Sequence, residues 1–182
     1  SMWSLATLSI EPSGKLNKAV SARIVSGSRQ FTPQSIANTI WALAKFERHH
    51  EWKAIQALKR AILVKSNRMT LQGAVACLWS LSTLSRKPVG RIHISTLKRK
   101  RDTSESLAKV AMFEDEVINR LQKRVYELRD EWTQKEVSSI LWSLRPPPCP
   151  SATILPELSE SLEAFKDIKL SDVPTNEVKT EV

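Results

Sequence analysis

One local pattern centred on a tryptophan recurs along this chain at a fixed interval, and that recurrence limits the fold more than any single segment does. The fullest copy is Phe31-Thr-Pro-Gln-Ser-Ile-Ala-Asn-Thr-Ile-Trp41-Ala-Leu-Ala-Lys-Phe46, and Trp3, Trp79 and Trp142 sit in shorter copies that share Trp-Ser-Leu. The intervals are 38, 38 and 63 residues, so the last exceeds the period by 25. A repeat of this length marks stacked supersecondary units. Each unit buries its apolar face only against its neighbours.

The period also sets the helix boundaries. Thr32, Thr70 and Thr133 each stand nine residues before their tryptophan, where a threonine hydroxyl N-caps a helix. Pro33 follows at the first helical position, which has no use for an N–H, and Thr133 with Glu136 predicts a capping box. A second helix follows in each unit. Ile55, Leu58 and Ile62 stand 63 residues before Ile118, Leu121 and Val125, and Val20 and Ile24 stand 38 before Leu58 and Ile62. A one-residue deletion brings Leu155, Leu158 and Leu162 into the same register.

The expected fold is therefore all-α, an αα-hairpin superhelix forming a right-handed α-solenoid, with residues 1–168 as one partial and three recognisable units. Because Met2-Trp3 falls where a first helix is already under way, the chain reads as a fragment of a longer array. The extra residues of the third unit fall at about 91–115, expected as a mobile surface loop. The run Arg145-Pro-Pro-Pro-Cys-Pro150 stops the last first helix. Residues 169–182 are polar and acidic, and a disordered tail is expected.

Charge narrows the partner. Residues 1–150 carry 25 Lys and Arg against 12 Asp and Glu, whereas 151–182 carry 3 against 7. So basic a body favours a polyanion. Cys77 and Cys149 are the only cysteines and suggest neither a disulfide framework nor a metal site. His49, His50 and His93 have no ligand-spaced companions, and four glycines form no phosphate loop. The chain reads as no enzyme and as needing no cofactor. No apolar run approaches the ~18 residues that would span a bilayer, so no membrane insertion is expected.

The first helices have apolar residues five before, one before and two after the tryptophan (Ile36, Ile40 and Leu43 in the fullest copy), a stripe at helical spacing. Small residues such as Ala37 and Ala44 flank the tryptophan, which is expected to fill the gap between repeats. One strip stays polar: Gln34, Asn38 and Lys45, then Gln72, Ser80 and Thr83, then Lys135, Ser139 and Ser143. These are the candidate RNA-binding residues, with amides and hydroxyls able to bond base edges. Lys59, Arg60, Lys123 and Arg124 on the second helices are the candidate phosphate contacts. The bland alternative is a solvated face. The run Lys98-Arg99-Lys100-Arg101 suits a nuclear localisation signal, an RNA contact or a plain charged loop.

The 31–46 segment and its 38-residue period resemble the octotricopeptide repeat, related to the repeats of RAP-domain and FAST-kinase-like organellar proteins. That resemblance implies sequence-selective binding of single-stranded RNA in a mitochondrion or plastid, acting on RNA stability, processing or translation, with other RNA-processing proteins as further partners. The basic run leaves the nucleus as an alternative location. An armadillo or HEAT-like scaffold for protein partners is the alternative function. Ala76 stands where the second unit has Asn38, which departs from a regular base-by-base code.

Overall fold

The computed structural model describes residues 2–48, 51–86, 103–144 and 154–163, with residues 86 and 103–114 described by their backbone alone. Eight α-helices are present among them: α1 (Met2–Thr7), α2 (Gly14–Gly27), α3 (Pro33–Lys45), α4 (Trp52–Lys65), α5 (Leu71–Arg86), α6 (Thr103–Glu127), α7 (Gln134–Leu144) and α8 (Pro156–Glu163). The described residues contain no strand, so the fold is all-α.

The 38-residue beat is carried by the backbone. Helices α3, α5 and α7 begin at 33, 71 and 134, and the 3₁₀ turns Ser28–Gln30, Ser66–Arg68 and Arg129–Glu131 keep the same 38 and 63 intervals. The threonine caps explain the helix starts. Thr32 Oγ1 accepts from the Ser35 amide at 3.1 Å, and Thr70 Oγ1 from the Gly73 amide at 3.2 Å. At the third start the predicted capping box takes another form, because the Thr133 hydroxyl donates to the Glu136 carboxylate.

The turns that follow α1 and α3 also match. Ser9 and Glu47, 38 residues apart, both adopt positive φ, at 55° and 53°. Around them the Ile10 amide bonds the Leu5 carbonyl and the Arg48 amide bonds the Leu43 carbonyl, each at 2.9 Å. This is the Schellman closure, which satisfies carbonyls left over at a helix C-terminus.

Packing follows the period as well. The first helices form one row, α1 on α3, α3 on α5 and α5 on α7, and the second helices another, α2 on α4, α4 on α6 and α6 on α8. One core joins the two rows: Ile36 and Ile40 of α3, Leu58 and Ile62 of α4, Leu78 of α5, Leu121 of α6, Ile140 of α7 and Leu158 of α8 are all within 1 % of full burial. Each such side chain contributes roughly 1.5–3 kcal/mol relative to exposure. Gly73 marks close approach within the first row, since a Cβ there would lie 3.7 Å from the Ala37 Cβ.

Polar links tie successive units together. Lys65 Nζ donates to the carbonyls of Arg29, at 2.8 Å, and of Phe31. Arg124 Nε donates to the carbonyl of Met69, the repeat equivalent of Phe31, at 2.9 Å. In both cases a cation from one unit's second helix covers carbonyls in the linker before that unit's first helix. Ser82 Oγ on α5 donates to the Ser143 carbonyl on α7 at 2.7 Å, and Arg48 pairs with Glu11 between neighbouring turns.

One boundary corrects the sequence reading. By repeat register α6 would begin near Asp115, yet it begins at Thr103, so the segment 103–115 is helix rather than loop. Residues 103–127 contain neither Gly nor Pro and include four Glu, so no helix breaker stops an inserted segment from extending an existing helix. The remainder of the insertion, with the basic run 98–101, lies outside the described residues, as do the histidines 49, 50 and 93, the Pro-rich segment 145–150 with Cys149, and the tail 169–182. Leu155, Leu158 and Leu162 do face the core. Gln122, wholly buried, accepts from the Leu155 amide at 2.9 Å and so anchors the start of α8 on α6.

Candidate functional site

The residues of the expected polar strip separate into three groups. Gln34, Gln72 and Lys135 are exposed at the second position of α3, α5 and α7, one register repeated on three helices that stand side by side. Asn38, Lys45, Thr83 and Ser139 are half-buried. Ser80 and Ser143 are buried, at 0 % and 1 % exposure, and cannot reach a ligand on the surface.

The cause of that correction is visible one unit earlier. The equivalent of Ser80 and Ser143 is Ala42, itself 0 % exposed, so this column is a seat for small side chains against neighbouring helices. A serine is tolerated there because its hydroxyl bonds its own helix. Ser80 Oγ donates to the Ala76 carbonyl and Ser143 Oγ to the Ser139 carbonyl, both at 2.6 Å. Thr83 and Ser139 are also back-bonded, to the Trp79 and Lys135 carbonyls at 2.9 and 3.0 Å. On α3 the amides interact differently: Gln34 Nε2 donates to Asn38 Oδ1 at 2.9 Å.

Two of the four candidate phosphate contacts are corrected in the same way. Lys59 is 7 % exposed and already partnered inside the fold. Arg124 is committed to the Met69 carbonyl and to Glu127 at 3.2 Å, which makes it a brace between units. Arg60 and Lys123 remain exposed, and they occupy one repeat position, 63 residues apart. The sequence signal that separates these pairs is periodicity: Arg60 and Lys123 share a column, while Lys59 aligns with Gln122 and Arg124 with Ala61.

The tryptophans do not behave alike. Trp79 and Trp142 stack with centroids 5.8 Å apart and planes at 28°, filling the space between α5 and α7 as expected. Trp41 lies outside the core cluster and is only half-buried, with the Lys45 ammonium 5.8 Å from its ring centroid. Trp79 and Trp142 are half-buried as well, so Trp41 is set apart from them by the Lys45 ammonium over its ring and not by its exposure. Positions 34, 38, 41 and 45 follow one another at helical spacings of four, three and four, which puts them on one stripe of α3.

Cys77 is wholly buried, and desolvation pushes its thiol up to about 12, so it stays protonated and unreactive. Among the described residues no group of His, Cys, Asp and Glu is placed to hold a metal ion. None of their helices is long and apolar enough to cross a membrane.

Comparison with known proteins adds no relative: no family model, no curated protein and no solved structure matches the chain.

Proposed function

We propose that the chain is part of a right-handed αα-solenoid that binds single-stranded RNA along its row of first helices, in organellar post-transcriptional gene expression. The observation that carries this reading is the exposed register of Gln34, Gln72 and Lys135 on three adjacent helices. Two carboxamides and an ammonium at one repeated position present hydrogen-bonding groups at regular intervals, which suits an extended strand whose unpaired bases expose their edges. Arg60 and Lys123, with the basic surplus of residues 1–150, favour the phosphate backbone. The resemblance of residues 31–46 to the octotricopeptide repeat supports both the ligand class and the mitochondrial or plastid setting.

Binding of labelled single-stranded RNA of mixed and homopolymeric sequence, followed by fluorescence anisotropy across a salt series, tests the proposal. Affinity is expected to fall with salt at a log–log slope of about −0.7 per phosphate contact. Q34A combined with Q72A is expected to reduce the preference among base sequences while leaving that slope in place. Absence of binding at low salt refutes the proposal.

A further inference from the structure

We infer that Trp41 is a stacking platform for one unpaired nucleobase, with Lys45 as its partner for the adjoining phosphate. The inference rests on the RNA-binding reading and names a contact within it that the row of polar residues does not supply.

Four observations converge on α3. Trp41 and Trp79 are both half-buried, but Trp79 packs on the core cluster and against Trp142, whereas Trp41 lies outside that cluster. What lies over the Trp41 ring is the Lys45 ammonium at 5.8 Å, a charge held on an aromatic face close to solvent. The indole N–H of Trp132 is committed to the Val125 carbonyl at 3.1 Å, while that of Trp41 has no hydrogen-bond partner in the described fold. Gln34 and Asn38 precede Trp41 on the same stripe and are joined by their 2.9 Å bond.

An aromatic face, a mobile cation and two amides on one helix stripe match the three parts of a nucleotide. A base stacks on an indole whatever its identity, because each base has a π-face. The contact between Lys45 and the ring is weaker than base–aromatic stacking when it faces solvent. An arriving base therefore displaces the ammonium, and the long lysine stem lets it turn to the phosphate. Gln34 and Asn38 then lie beside the stacked base, where they read the edge of a neighbour. Base selectivity and stacking are carried by different residues of one helix.

The test compares wild type, W41F and W41L for binding to single-stranded RNA and to inorganic polyphosphate, a polyanion without bases. W41L is expected to weaken RNA binding by about 5- to 100-fold and W41F by much less, with polyphosphate binding unchanged in both. In wild type, RNA is expected to quench part of the tryptophan emission, and that part is absent from W41F, which keeps an aromatic ring and its packing. RNA affinity and quenching that are the same in all three proteins overturn the inference and leave the RNA reading standing. Equal losses toward RNA and polyphosphate also overturn it, since they make Trp41 a structural residue. Failure of wild type to bind RNA at all overturns the underlying reading and this inference with it.

Discussion

Cys77 shows how far burial alone can set the chemistry of a residue in this fold. Its thiol is wholly enclosed, 4.0 Å from the Met69 sulfur, and desolvation raises its pKa from 9.0 to about 12. In the unfolded chain the same thiol ionises above pH 9.0, so between 9.0 and about 12 the folded state holds a proton that the unfolded state has lost. Stability must then fall as pH rises through that window. C77A removes the linkage, and the difference in denaturation midpoint between wild type and C77A is expected to drift in favour of C77A as pH climbs from 9.0. A difference that stays constant would show that the thiol is solvated. The residue scale is also where sequence reading succeeded least. Ser80 and Ser143 look like ligands because serine is polar, yet a hydroxyl that bonds its own helix carbonyl enters a buried column at little cost. Residue type did not disclose this; the alanine at position 42 in the same column did.

Helix starts were legible at the scale of the element, because a cap is local chemistry: Thr32 and Thr70 each hold an amide three residues ahead, as their position predicts. The start of α6 was not legible, since the period locates a shared core and says nothing about how far a helix runs beyond it. The basic side chains of the second helices show the same division. Lys123 and Arg124 are neighbours in sequence, but Lys123 is exposed while Arg124 satisfies the Met69 carbonyl of the linker before α5. R124M leaves that carbonyl without its charged donor and is expected to destabilise by about 1–3 kcal/mol. K123M is expected to stay within about 0.5 kcal/mol, as for an ordinary surface change. On the RNA reading their effects on binding invert, because only Lys123 faces a phosphate. Urea unfolding and RNA titration of the two variants measure both orderings, and equal stability losses would contradict the brace.

Across the whole molecule the two rows of helices leave one end less covered than the middle, and the repeat lets like be compared with like. Leu16 is 42 % exposed on α2, whereas its equivalents Ala54 and Val117 are 1 % and 0 % exposed on α4 and α6. Leu8 is 67 % exposed where Leu84 is 6 % exposed, and Trp3 remains 44 % exposed. The same sequence positions therefore bury apolar surface in the middle units and leave it in water at the α1–α2 end. Among the described helices α1 packs in its row on α3 and α2 in its row on α4, and local opening costs least where the fewest buried contacts are made. Amide hydrogen exchange is accordingly expected to rank the helices by coverage. The amides of α3, α4 and α5, packed on both sides within their rows, should exchange with the highest opening free energy, and those of α1 and α2 with a distinctly lower one. The bonds from Lys65 to the Arg29 and Phe31 carbonyls hold α4 on the linker that joins α2 to α3. K65M should therefore lower protection in α2 first and in α5 little. Uniform protection across all helices, or loss in α2 and α5 together after K65M, would mean that the rows unfold as a single block and that coupling between units is stronger than their contacts indicate.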